Sequence, residues 1–139
     1  MKKRQAKVKP EPFTIVRFVT EPEFLGLSIS PAQETLLRAC YGLPLTEEQF
    51  DIFRACTGRT LYHQGHSFRE VTIISGARSG KDSRIACPIA IYEALLGGHD
   101  KRLAKGEVAI IPLVAQDKTA AQIAFGYIKD YLTESPTLR

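Results

Sequence analysis

The stretch Val71-Thr72-Ile73-Ile74-Ser75-Gly76-Ala77-Arg78-Ser79-Gly80-Lys81-Asp82-Ser83 constrains this chain more than any other. It opens with a β-branched apolar run, which predicts a buried strand. A loop of small residues follows, and then Ile85 to Leu96, rich in Ala, Ile and Leu, which predicts a helix. Strand, tight loop and helix with Gly-Lys at the join is the setting of a phosphate-binding loop. Backbone N–H groups of such a loop and of the helix start point at one spot, and the helix dipole adds partial positive charge there. Gly80 lets the backbone approach a phosphate closely, and Lys81 reaches the outer phosphates as a point charge.

The match to G-x-x-x-x-G-K-[ST] has two departures. Ser75 stands at the first glycine, with Gly76 one place later. Asp82 stands where a Ser or Thr hydroxyl would meet Mg²⁺, and Ser83 takes that place only if the register slips by one. An aspartate facing a triphosphate repels it unless it turns to hold the metal or its water shell. The competing reading is a Gly-rich turn carrying a solvated lysine.

A second unit follows. Glu107 to Val114 reads as another buried strand, and Pro112, which has no N–H to give the ladder, places that position at a sheet edge or strand end. Asp117 caps a helix whose apolar residues, Ala120 to Leu132, recur at helical spacing. Pro88 predicts a kink or an early end in the helix behind the loop. Strand, helix, strand, helix implies parallel pairing by a right-handed crossover. The expected class is therefore α/β, with a partial P-loop NTPase fold over residues 69–139. Nucleotide hydrolysis in such a fold needs an acidic strand end to hold Mg²⁺. Asp117 is the carboxylate nearest a strand end, but Ala115 and Gln116 separate it from the apolar run, and it reads as a helix cap.

Residues 13–68 form an N-terminal segment. Phe13 to Val19 alternates in part and is β-branched, which predicts a short strand or extended piece. Ser30-Pro31-Ala32-Gln33 and Thr46-Glu47-Glu48-Gln49 are both helix starts with capping boxes. Gly42 and Gly58 stop these two helices, giving a helical hairpin. Gln49 has two readings: its amide offers the donor and acceptor that adenine presents a match for, or it only completes its capping box.

The first twelve residues, with Lys2, Lys3, Arg4, Lys7 and Lys9, predict a disordered basic arm. It is either a loose DNA-backbone contact or a solubilising tail. The net charge of +4 in 139 residues is compatible with a polyanion partner. Hydrophobic content of 44% beside 24% charged residues suits one soluble domain, with no apolar run of membrane-spanning length. Cys40, Cys56 and Cys87 are scattered and lack a C-x-x-C pair, which favours reduced thiols in a cytoplasmic setting. His63 and His66 with Cys56 are too loosely spaced for a zinc site.

The order of segments resembles the large terminase subunit of tailed bacteriophages, the ATP-driven motor that packs DNA into capsids. The resemblance rests on Leu27-Ser28-Ile29-Ser30-Pro31-Ala32-Gln33, on Leu43-Pro44-Leu45 through Gly58-Arg59, on Ser75 to Asp82, and on Val114-Ala115-Gln116-Asp117 with Ala120-Ala121-Gln122-Ile123-Ala124. The family's loops often read G-R-x-x-G-K-[ST]. Gly76, Arg78, Gly80 and Lys81 fit that style, with Ala77 displacing the arginine by one place.

The resemblance implies catalytic roles for Lys81 and for Arg78, the latter at the γ-phosphate, and adenine contact for Gln49. It implies ATP held by Ser75, Gly76, Ala77, Arg78, Ser79, Gly80, Lys81, Asp82 and Ser83, with Mg²⁺ at Asp82 and Ser83. It further implies double-stranded DNA, a portal protein and a small terminase subunit as partners, homo-oligomerisation of the full-length parent, and the bacterial host cytoplasm as location. It covers most of residues 20–139, and only the N-terminal part of such a protein. The family's Walker B acidic pair, coupling motif and nuclease carboxylates have no counterpart here, so the expectation is ATP binding with negligible turnover. Two other readings are a small P-loop kinase and a non-enzymatic DNA or capsid-assembly module using the basic arm.

Overall fold

A computed structural model describes residues 13–139; the basic arm expected over 1–12 lies outside them. The helices are α1 (Ile15–Thr20), α2 (Pro31–Cys40), α3 (Glu47–Thr57), α4 (Cys87–Leu96) and α5 (Lys118–Glu134). A π-wound segment, Lys81–Ala86, runs straight into α4, and a 3₁₀ turn, His99–Arg102, follows it.

There is no strand among the described residues, which overturns the α/β P-loop NTPase fold expected over 69–139. Val71 to Ser75 and Val108 to Val114 carry the β-branched composition of buried strands, yet both lie exposed without regular structure. Ile74 is 97% and Val114 93% exposed. Among the described residues, the backbone of Val71–Ile74 and of Val108–Val114 makes no hydrogen bond within the chain. A strand is stable only through a ladder to its neighbours. Among the described residues neither segment finds one.

The segment expected to be extended at Phe13–Val19 is helical from Ile15. Thr14 caps it, its hydroxyl accepting from the Arg17 N–H at 3.4 Å, and Arg17 pairs with Glu21 one turn on at 2.6 Å. Ile15, Val16, Phe18 and Val19 are all buried. Those positions, i, i+1, i+3 and i+4, are the spacing of a helix face and outweigh β-branched propensity. They join Leu37 of α2, Ile85 of the π segment and Ile91 of α4 in one core. Phe18 lies 5.6 Å from Phe24 and 5.5 Å from Tyr92, centroid to centroid. Burial of such side chains contributes about 1.5–3 kcal/mol each.

Around this core α1 packs on α2 and α4, α2 on α3, and α5 on α4 and the π segment. The winding changes from π to α at Cys87, immediately before Pro88, which has no N–H to continue the ladder. Gly42 ends α2 at φ 65°, and a Cβ there would lie 2.7 Å from the His66 backbone nitrogen. The loop after α3 thus closes against α2, where Tyr62 donates its hydroxyl to the Leu43 carbonyl at 2.7 Å.

Candidate functional site

The loop Ser75–Gly80 enters the helical run that starts at Lys81, and three bonds set its shape. Ser79 donates its hydroxyl to Ser75 Oγ at 3.1 Å, closing the turn. The Gln33 side-chain amide donates to the Ser79 carbonyl at 2.8 Å, fastening the turn to the start of α2. The Arg84 N–H donates to the Gly80 carbonyl at 2.7 Å, opening the helical run. Arg78 and Gly80 both take the left-handed conformation, at φ 59° and 75°. At Gly80 the lack of a Cβ matters twice, because one would also lie 3.0 Å from Gln33 Nε2. Gly76 has no positive φ, and among the described residues a Cβ there meets nothing within 4 Å. The backbone therefore does not require a glycine at 76.

Lys81 and Asp82 are half-exposed and 3.6 Å apart. Arg78 and Ala77 lie exposed on the turn. The Ser83 carbonyl accepts from the Tyr131 hydroxyl at 2.7 Å, so α5 steadies the helical start from behind, and Arg84 reaches back to the Ser28 carbonyl. Helix starts leave their first N–H groups without intrahelical partners. Here these groups belong to Lys81, Asp82 and Ser83. For Mg²⁺ the site offers the single Asp82 carboxylate, engaged by Lys81, and the Ser83 hydroxyl. That set fits a hard cation only with phosphate oxygens and waters filling most of its octahedron.

Gln49 stands apart from this group. Its Oε1 accepts from the Thr46 N–H at 3.1 Å, and its Nε2 donates to Glu34 at 3.2 Å. Both halves of the amide are thus occupied by the capping box and α2. The glutamine that does reach the loop is Gln33, which sequence reasoning took only for a cap. Both boxes show the same S/T-x-x-Q pattern, so no local signal separates them.

Asp117 accepts from the Ala120 N–H at 2.8 Å as the cap of α5. His63 and His66 are exposed, and among the described residues no three His, Cys, Asp or Glu side chains converge as a metal-binding group. Burial, with the Asp82 charge second, pushes the Cys87 thiol up to about 11, and burial likewise raises Cys40. Both thiols stay protonated at neutral pH and are poor nucleophiles.

Beside the loop lies a largely apolar cleft of about 500 Å³ between α2, α3 and residues 70–75. Ser75, Ser79, Lys81, Phe53, Cys56, Arg59 and Phe68 are among the residues that line it. The Arg59 guanidinium sits over the Phe68 ring, 5.2 Å from its centroid.

Compared with the sequence profiles of known protein families, with curated proteins and with solved structures, the chain matches none. Among the described residues no helix is long and apolar enough to cross a membrane.

Proposed function

We propose that residues 75–83 bind the phosphate chain of ATP, and that the chain is the ATP-binding N-terminal part of a DNA-packaging motor of the large-terminase kind. The observation that carries this reading is the Ser75–Gly80 turn, closed by Ser79 and tethered by Gln33, leading directly into a helical run headed by Lys81. Free N–H groups, the helix dipole and an ammonium group act there on one small volume. The scaffold that presents them is helical.

In this reading Lys81 neutralises the outer phosphates and Arg78, exposed at the tip of the turn, meets the γ-phosphate. Asp82 and Ser83 would hold Mg²⁺ together with the nucleotide's own oxygens, the metal offsetting phosphate charge. Double-stranded DNA, a portal protein, a small terminase subunit and further copies of the parent are the partners this role entails, in the bacterial host cytoplasm.

The test is a nucleotide titration by calorimetry. The wild type binds ATP in the high micromolar range or weaker, roughly −5 kcal/mol, and Lys81→Ala abolishes the signal. Equal isotherms for the two proteins overturn the proposal.

A further inference from the structure

The cleft beside the loop is shared between two chemistries. Ser75, Ser79 and Lys81 of the phosphate-binding turn line it, and so do Arg59 and Phe68, which form a cation–π pair. The lining as a whole is mainly apolar, with Phe53 and Cys56 contributed by α3. The volume, about 500 Å³, falls within the range of small-molecule sites, about 300–1,000 Å³. A planar aromatic group stacks on an Arg or Phe face whatever its hydrogen-bonding edge. Along the same cleft, the backbone groups of Val71–Ile74 make no hydrogen bond within the described residues and stand available to a polar edge. Among the described residues, the two cations Lys81 and Arg59 outnumber the single carboxylate on the lining, Glu70, which suits an anionic ligand.

We infer that this cleft holds the base and sugar of a nucleoside triphosphate, stacked toward Arg59 and Phe68, while its phosphates occupy the turn at Ser75–Lys81. The inference rests on the phosphate-binding reading of that turn and adds the place of the base. It puts the base against α3 and Phe68, away from Gln49, whose amide is already engaged.

Cys56 is a built-in reporter, being exposed where Cys40 and Cys87 are buried. The full chain is alkylated with N-ethylmaleimide, and modification of Cys56 is followed by mass spectrometry with ATP, with inorganic tripolyphosphate, or with neither. Saturating ATP slows alkylation of Cys56 at least tenfold, and tripolyphosphate changes it less than twofold. In parallel, Phe68→Ala weakens ATP about tenfold and leaves tripolyphosphate affinity unchanged; Phe68 is partly exposed, so the fold tolerates its loss. ATP that binds in a Lys81-dependent manner yet leaves Cys56 alkylation unchanged overturns the base site alone, as does equal protection by both ligands or an unaltered ATP affinity in Phe68→Ala. Failure of both ligands to bind overturns the phosphate reading and this inference with it.

Discussion

The side-chain amide of Gln33 donates to the backbone carbonyl of Ser79 at 2.8 Å, across 46 positions of sequence. The same amide's oxygen accepts from the Ser30 N–H at 2.8 Å, so one side chain both caps α2 and holds the turn that precedes Lys81. Gln33→Glu separates these duties, because a carboxylate still accepts at the cap but cannot donate to Ser79. Its unfolding free energy drops by about 1 kcal/mol, the value of that one hydrogen bond, and ATP affinity falls about threefold to tenfold as the turn loosens. Gln33→Ala loses both duties, and its unfolding free energy drops by about 1–2 kcal/mol. Urea titration and calorimetry on the two variants check this.

The two loop glycines respond differently to alanine. Gly80→Ala forces a left-handed residue and crowds Gln33 Nε2 and Arg84 Cγ, at 3.0 and 3.1 Å from the new Cβ. It destabilises the protein by about 1–2 kcal/mol. Gly76→Ala meets open space without a positive φ, and its denaturant midpoint stays within about 0.5 kcal/mol of wild type or rises slightly. Equal losses in the two variants would contradict this account of the turn.

The helical core and the exposed β-branched runs predict opposite mutational outcomes. Phe18 is fully buried among Phe24, Tyr92 and Phe13, and Phe18→Ala costs about 3–5 kcal/mol. Ile74 and Val114 are almost wholly exposed. Ile74→Ser and Val114→Ser therefore shift stability by no more than about 0.5 kcal/mol. Losses of 2 kcal/mol or more in these serine variants, as expected in a buried sheet, would count against the helical architecture.

Alkaline pH acts through Cys87. The buried thiol titrates near 11 in the folded chain against 9.0 for an ordinary cysteine. Between those values the unfolded chain has released a proton that the folded chain still holds, so folding grows less favourable as pH rises. This contribution is fully present below pH 9 and is lost as pH rises toward and through 11. Cys87→Ala lacks the term, so its stability deficit against wild type narrows between pH 9 and 11. Urea midpoints measured for both proteins across that interval show the narrowing, or a constant gap that refutes it.

Some features were legible residue by residue. Ser30 with Gln33, Thr46 with Gln49, and Asp117 all cap helices where their side-chain types indicate, and Gly58 closes α3 at φ 70°. In each case a short side chain meets a backbone group three positions away, or a glycine relieves its own φ. The Ile15–Thr20 helix was also written in the chain, in the i, i+3, i+4 spacing that partial alternation obscured. Other features had no such local mark. Gln33 and Gln49 sit in equivalent capping boxes, yet only Gln33 reaches Ser79. The Arg59–Phe68 pair and the cleft it lines likewise join α2, α3 and residues 70–75, distant parts of the chain.

The helical run behind the loop starts at Lys81 rather than at the expected Ile85. By itself, the sequence determined where α2, α3 and α5 begin, through the side chains that cap them. Those outcomes depend on forces acting within one turn of backbone. Tertiary structure alone decided that Val71–Ser75 and Val108–Val114 form no sheet, and that the loop leans on α2 instead. A β-branched run states only a preference for a pleated, half-buried surface. Whether that surface exists depends on other segments arriving to bond its edges, and among the described residues none does.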